Sequence, residues 1–402
     1  MISSKMQAMV ANSSAIRAMF EEGKKMAQIY GAENVYDFSL GNPSVEPPEC
    51  IKEAFISVLN EENPTYLHGY MLNSGYEDVR AQVADSINKK HNTSFNAANI
   101  IMTVGAAGGL NVILKTLLDD EDEVIVFAPF FGEYTNYVKN HNGKLVVVPA
   151  NTKDFMPDCE AFASAITSKT KAVIINNPNN PTGVVYPEEV IISLKNVMEE
   201  KQKEFGTDIY LISDEPYREL VYDGVEVPYL TKYYANTIVG YSFSKSLSLP
   251  GERIGYLVIP SEVADFENVI GAASVANRIL GFVNAPSLIQ RAVAKCLDAE
   301  VDVNIYDKNR KLLKEHLAKC GFEFVNPQGA FYLFVKAPNG DDKAFVNAAK
   351  KHRILIVPGS TFGCPGYVRL AYCVDYDMII RSLDGFSELA REYKTNGDSV
   401  KK

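Results

Sequence analysis

The 402-residue chain has no tryptophan and only five histidines, and no two of its six cysteines share a CxxC spacing. The histidines make no HExxH or other paired-ligand pattern, so no metal centre is expected. Cys50, Cys159, Cys296, Cys320, Cys364 and Cys373 read as reduced core thiols of a cytoplasmic protein. No apolar run approaches the ~20 residues of a membrane span. The first thirty residues lack the apolar core and cleavage site of a signal peptide. A GxGxxG fingerprint is missing too, which speaks against a dinucleotide. Basic clusters are absent: 40 lysines and arginines face 50 acids, a net charge of −10. Nucleic acid is therefore not an expected partner. An anionic small ligand would have to be met by individual cations, so a cation beside an apolar run carries weight.

The remaining composition, 47% hydrophobic and 22% charged, is that of an ordinary soluble protein. The length implies two domains. Residues 4–30 read as one amphipathic helix capped by Ser3 or Ser4, followed by a short strand at 35–39 and the turn Gly41-Asn42-Pro43. Apolar strand-like runs follow at 99–104, 123–127, 144–148, 171–175, 208–213, 237–241 and 254–259. Helical patterns at 75–91, 106–118, 132–140, 158–167 and 187–203 separate most of them. That alternation predicts an α/β fold: a mostly parallel seven-stranded sheet between helices, with ligands at the carboxyl ends of the strands. Two long helices are expected at 261–280 and 286–319, then strands near 322–325, 331–336, 353–357 and 367–372 in a smaller α+β domain. The division expected is 1–45 as an arm shared with the small domain, 46–285 as the large domain, and 286–402 as the interdomain helix and small domain. The tail from Lys394 is expected to fray.

At the predicted strand ends stand residues with chemistry. Lys245, in Ser242-Phe243-Ser244-Lys245, follows the apolar Thr237–Tyr241 run. Most lysines are solvated; an apolar strand ahead and serines beside it favour a buried amine able to hold an aldehyde and move a proton. Asp214 ends another apolar run, and a carboxylate there is costly unless paired. A turn cap explains it as well as a cationic heterocycle does. Tyr217 and Asn180, the latter within Asn177–Gly183, could donate hydrogen bonds to a ligand oxygen; a core tyrosine and a turn asparagine are the plain alternatives. Gly105, Ala106 and Ala107 open a helix after a strand, where small residues admit a phosphate to backbone N–H groups. Ser242, Ser244 and Arg253 would complete that cup, Arg253 with a bidentate fork. Phe131 could stack on a ring, although a single phenylalanine is more often core. Arg369, in Tyr367–Ala371 with no acid beside it, needs an anion such as a substrate carboxylate.

Taken together these segments resemble the fold-type I, pyridoxal-phosphate-dependent aminotransferases of class I/II, the aspartate aminotransferase family. Asn-Pro-x-Asn-Pro-Thr-Gly, Asp-x-x-Tyr, Ser-x-Ser-Lys with an arginine eight residues on, and Val-Arg-Leu occur in the family's order over nearly the whole chain. The resemblance implies pyridoxal 5'-phosphate as cofactor, Lys245 as the Schiff-base lysine and Asp214 as partner of the pyridine nitrogen. It places Asn180 and Tyr217 at the phenolic oxygen, Phe131 on the ring, and Gly105, Ala106, Ala107, Ser242, Ser244 and Arg253 around the phosphate. Arg369 would bind the substrate α-carboxylate, with Gly41 and Asn180 beside it. Tyr70 would reach the phosphate of a neighbouring subunit, implying a homodimer. Two positions depart from dicarboxylate-specific members: Ala107 stands where one subgroup has a lysine, and Arg278 is one residue out of register with the arginine that another takes from the partner. The expected activity is transfer of an amino group between an L-amino acid, aspartate or an aromatic one, and a 2-oxo acid. A carbon–sulfur β-lyase on the same scaffold is the alternative. A ligand-sensing regulatory domain and a nicotinamide oxidoreductase are remoter, for want of a helix-turn-helix segment and a dinucleotide motif.

Overall fold

Continuous apolar runs, not alternating ones, build the central sheet, because helices cover both of its faces. In the computed structural model, which describes residues 2–11 and 15–399, the strands are β1 (Tyr36–Asp37), β2 (Ile100–Thr103), β3 (Glu123–Phe127), β4 (Lys144–Val148), β5 (Thr170–Asn176), β6 (Tyr210–Asp214), β7 (Thr237–Ser242), β8 (Gly255–Val258), β9 (Tyr332–Lys336), β10 (Ile354–Leu355), β11 (Val357–Pro358) and β12 (Tyr367–Ala371). The large sheet has the order β2-β8-β7-β6-β5-β3-β4. All its neighbours are parallel except those of β8, which runs against both β7 and β2. Only the edge strand β4 exposes side chains, as an edge strand can. All seven expected strands are present, and the carboxyl ends of β5, β6 and β7 lie side by side. Among the described residues no helix is long and apolar enough to cross a membrane.

The smaller unit contains the antiparallel sheet β11-β12-β9 and the parallel pair β1-β10. Its core is aromatic, with Phe38, Tyr306, Phe331 and Phe386 buried together with Leu313 and Leu370. Phe38 N–H donates to the Leu355 carbonyl at 2.9 Å, and its own carbonyl accepts from Ala371 at 2.8 Å. The segment Phe38–Gly41 is thereby clamped between this unit and the ends of the large sheet.

Several expectations need correction. The first helix is described as two pieces, Ser4–Ala11 and Ala15–Tyr30; residues 12–14 lie outside the described residues. Ser3 does cap it, its hydroxyl accepting from Met6 N–H at 3.3 Å. The helix expected at 261–280 starts only at Phe266, after Pro260 and a left-handed Asp265. The stretch 286–319 is two helices, Ser287–Ala294 and Val303–Cys320. The amphipathic period continues across the break, but Asp302 starts a new helix by accepting from Asn304 N–H at 3.0 Å. The strand expected at 322–325 reduces to a single bridge, Phe324 to Val335. The run 353–357 splits because Ile354-Leu355 pairs with β1 whereas Val357-Pro358 pairs with β12. The last helix continues through Ser399, past the point where fraying was expected; residues 400–402 lie outside the described residues.

Ile212 sits in the middle of β6 with no exposed surface, between β5 and β7. Ile212→Ala is expected to cost about 2–5 kcal/mol through lost burial and an unfilled cavity. Urea denaturation should show this as a lower midpoint at unchanged slope; an unchanged midpoint would mean that the central strand is not the packed core described.

Candidate active site

A cavity of about 590 Å³ opens where β5, β6 and β7 end, within the range of small-molecule sites. Of the residues singled out from the sequence, Gly41, Ala106, Ala107, Phe131, Asn180, Asp214, Tyr217, Ser242, Ser244, Lys245, Arg253 and Arg369 all line it. Residues 41 to 369 are thus brought to one place by the topology.

Lys245 lies on a single helical turn, Phe243–Ser246, directly after β7. Ser242 caps that turn, accepting from Ser244 N–H at 3.2 Å, and the two serine hydroxyls share a bond of 2.7 Å. The Lys245 ammonium points away from bulk water and donates to the Gly41 carbonyl at 2.7 Å. Burial lowers its pKa to about 8, with a smaller push in the same direction from Arg253 and Arg369.

Asp214 is the last residue of β6 and is 4% exposed. One carboxylate oxygen accepts from the Tyr134 hydroxyl. The other, Oδ1, is buried and has no hydrogen-bond partner. Burial pushes the carboxyl up to about 7, opposed by the Tyr134 bond. Behind it, Glu215 and Arg218 form a buried ion pair. Arg218 also donates to the carbonyls of Val227 and Pro228, both at 3.0 Å. The turn that carries Asp214 and Tyr217 is therefore anchored from its far side.

Arg369, on β12, is buried without a carboxylate partner among the described residues. It donates to Asn180 Oδ1 at 3.0 Å and to the Ser39 carbonyl at 2.6 Å, while its Nε is unpartnered. Asn180 is held in turn by Asn176, whose Oδ1 accepts the Asn180 N–H at 2.7 Å. The opposite cation, Arg253, donates to the Pro250 carbonyl at 2.9 Å and not to Glu252. Gly105 lies against it in a left-handed conformation (φ +67°); a Cβ there would approach the guanidinium to 2.8 Å. Tyr70 is not part of the cavity and is 93% exposed. Arg278 is exposed on the helix Phe266–Ile279 and does not line the cavity either.

Sequence reasoning missed five polar residues of this site: Glu133, Tyr137, Asn176 and Tyr332, which line the cavity, and Tyr134, which holds Asp214. Asn176 had a signal, since it directly precedes the Asn177-Pro178 turn. Tyr134 lies three residues after Phe131, and their rings meet edge-on with centres 5.6 Å apart. Tyr332 had none, because Ala330–Phe334 reads as ordinary apolar strand.

Comparison with known proteins agrees with this geometry. The family model described as aminotransferase class I and II matches residues 33–384. An aspartate aminotransferase of Thermotoga maritima is 30% identical, covering 92% of this chain and 94% of the relative. Aromatic-amino-acid aminotransferase 2 of Thermococcus litoralis is 31% identical over 96% of this chain and 97% of its own. A crystal structure of an aminotransferase from Eubacterium rectale superposes with a TM-score of 0.95 at 47% identity, covering 98% of this chain and 99% of that one.

A lowered lysine pKa has a direct chemical consequence. The neutral amine is the nucleophile, so Lys245 should react at lower pH than the surface lysines. In cofactor-free protein, trace labelling with acetic anhydride read by peptide mass spectrometry is expected to give a midpoint near 8 for Lys245 and about 10.4 for exposed lysines. A midpoint for Lys245 equal to the surface value would contradict the burial described.

Proposed function

The chain belongs to the class I and II aminotransferase family, and from that membership we propose how its own residues carry the activity. It is a pyridoxal-5'-phosphate-dependent aminotransferase, moving an amino group between an L-amino acid and a 2-oxo acid. The residues present fit the cofactor. The observation that carries the assignment is Asp214 Oδ1, a buried carboxylate oxygen without a partner in the same cavity as a buried amine. A protonated ring nitrogen is the partner that such an oxygen lacks, and its charge would return the Asp214 carboxyl toward the ionised form.

When bound, the cofactor supplies an aldehyde and an electron-withdrawing ring. The chain supplies the rest. Lys245 would hold the cofactor's aldehyde carbon, and its amine, when free, would take the proton from the substrate α-carbon; its lowered pKa makes the neutral base accessible near pH 8. Tyr217 and Asn180 would donate to the phenolic oxygen, and Phe131 would cover the ring. The N–H groups of Ala106 and Ala107, at the start of the helix Gly105–Leu117, would bind the phosphate with Gly105, Ser242, Ser244 and Arg253. Arg369 takes the α-carboxylate through its free Nε side, and with Asn180 and Gly41 it fixes which substituent of the α-carbon faces Lys245. Leu40, Phe131 and Tyr137 line the remaining wall. Aspartate and aromatic amino acids are the donors assigned, in keeping with the relatives' names.

The working unit is proposed to be a homodimer. Tyr70, Leu72 and Ile279 are exposed apolar or aromatic residues. Hydrogen bonds from Asn73 to Val283 and from Asn277 to Asn73, both 2.7 Å, tie the 70–73 segment to the helix Phe266–Ile279. This surface suits a second copy, with Tyr70 reaching that copy's phosphate. A cytoplasmic place in amino acid metabolism is proposed with it, supported by six unpaired cysteines. The division into 1–45, 46–285 and 286–402 belongs to the same proposal, supported by the separate sheets of the two units, seven-stranded in one and β11-β12-β9 with the pair β1-β10 in the other.

Two experiments test these assignments. Lys245→Ala should abolish the visible absorption of the lysine-bound cofactor and lower turnover of aspartate or phenylalanine with 2-oxoglutarate by at least roughly 10²-fold; wild-type turnover would reject the role of Lys245. Mixing subunits of inactive Lys245→Ala with inactive Tyr70→Ala should restore roughly a quarter of wild-type activity, because half of the mixed dimers' sites become intact if Tyr70 acts across the interface. No restoration in confirmed mixed dimers would place Tyr70 in its own subunit's site, or in none.

A further inference from the structure

Tyr332 opens β9 and is 2% exposed. None of the roles assigned above uses it, yet it touches three of the groups that have one. Its hydroxyl lies 2.9 Å from that of Tyr217, and the two rings meet edge-on with centres 5.7 Å apart. The guanidinium carbon of Arg369 stands 4.5 Å from the centre of its ring. Its hydroxyl also packs against Gly41 so closely that a Cβ on Gly41 would collide with it, and Gly41 carries the carbonyl to which Lys245 donates.

Each phenol has one proton, so the bond between Tyr217 and Tyr332 has a direction. Among the described residues neither hydroxyl makes any other hydrogen bond. Burial raises both phenols, and the Arg369 cation, which lies over the Tyr332 ring, opposes that rise in both. Tyr217, assigned above as a donor to the cofactor's phenolic oxygen, keeps its one proton for that bond. Tyr332 therefore donates and Tyr217 accepts, which leaves the Tyr217 proton free for a third atom.

We infer that Tyr332 is a positioning residue: by donating to Tyr217 it turns the Tyr217 proton toward the cofactor's phenolic oxygen, and it couples that hydrogen bond to the charge on Arg369. The inference rests on the assignment of Tyr217 to the phenolic oxygen made above. A phenol that accepts a hydrogen bond donates a stronger one, so the chain Tyr332–Tyr217–oxygen strengthens as a unit. The stronger donor holds the phenolic oxygen more firmly in its anionic form and makes it a poorer acceptor for the proton on the lysine nitrogen. Without Tyr332 that proton is held more tightly. An anion on Arg369 removes the cation's pull on Tyr332 and shifts the balance the same way.

The test is a spectrophotometric pH titration of holoenzyme, which needs no turnover. Tyr332→Phe should raise the pH midpoint of the bound cofactor's visible absorption change by about half a unit or more. Tyr217→Phe should raise it further, and the double variant should match Tyr217→Phe alone. Because phenylalanine keeps a ring under Arg369, Tyr332→Phe should leave the dissociation constants of succinate and 3-phenylpropionate, non-reacting carboxylates, within about twofold of wild type. Tyr332→Leu, which removes the ring, should weaken whichever of them binds. A wild-type midpoint in Tyr332→Phe with a shifted one in Tyr217→Phe would overturn the relay and leave the Tyr217 assignment standing. Additive shifts in the double variant would overturn it as well, since Tyr332 would then act without Tyr217. An unshifted Tyr217→Phe would instead remove the premise on which both assignments stand.

Discussion

A buried carboxylate with half of its hydrogen-bonding capacity unused is the constraint around which this molecule is arranged. Asp214 ends a strand at the heart of the sheet, where desolvation penalises its charge. Tyr134 satisfies one oxygen; the other is held in place without a partner. The neighbouring structure is built to keep that oxygen where it is. Asn176, one strand over, donates to the Asp214 backbone carbonyl at 2.9 Å. The Glu215–Arg218 pair anchors the following turn, and the next strand, β7, delivers Lys245 to the same end. Parallel neighbours make this economical, since adjacent strands that run the same way present consecutive loop chemistry at one edge.

Much of this was legible because both-face burial writes strands as unbroken apolar runs. The seven runs of the large sheet lie within about two residues of where hydrophobic patterning puts them. Residues with unusual chemistry after such runs, Asp214 and Lys245, were legible for the same reason. Direction was not: an apolar run reads the same whether the strand is parallel or antiparallel, so β8's reversal left no trace in composition. Nor was the break at 295–302, where the helical period persists and only the cap by Asp302 marks a second helix.

Tyr134 and Tyr332, two of the site residues that escaped the sequence, share one property. Their partners are far away along the chain: 80 residues separate Tyr134 from Asp214, and 115 separate Tyr217 from Tyr332. A tyrosine in an apolar neighbourhood reads as core, and its hydroxyl partner is set by topology alone. Asn176 and Asn180 sit four residues apart in one turn, so their mutual support was at least locally encoded. What local pattern conveys is which chemistry is present; which groups bond to one another is settled by how strands from distant segments are ordered.

The buried arginines differ in what offsets their charge. Arg310 is as deeply buried as Arg369, but it pairs with Asp223 and Asp307. Arg218 pairs with Glu215. Their charges are neutralised within the fold, and neither lines the active-site cavity. Arg80 relies on the carbonyls of Gly75 and Ala97, so neutral partners alone do not mark a binding site, and it too faces no part of that cavity. Arg369 combines both features: its fixed partners are the neutral oxygens of Asn180 and Ser39, and it lines the cavity with its Nε unpartnered. An uncompensated buried cation is costly. It persists because Ser39 and Asn180 fix its orientation while the Tyr332 and Phe362 rings, 4.5 and 4.8 Å from the guanidinium carbon, give it partial electrostatic relief. In a chain of net charge −10, gathering Arg369, Arg253 and Lys245 in one cavity produces a local field opposite in sign to the whole, and that field is what an anionic amino acid carboxylate and a phosphate ester require.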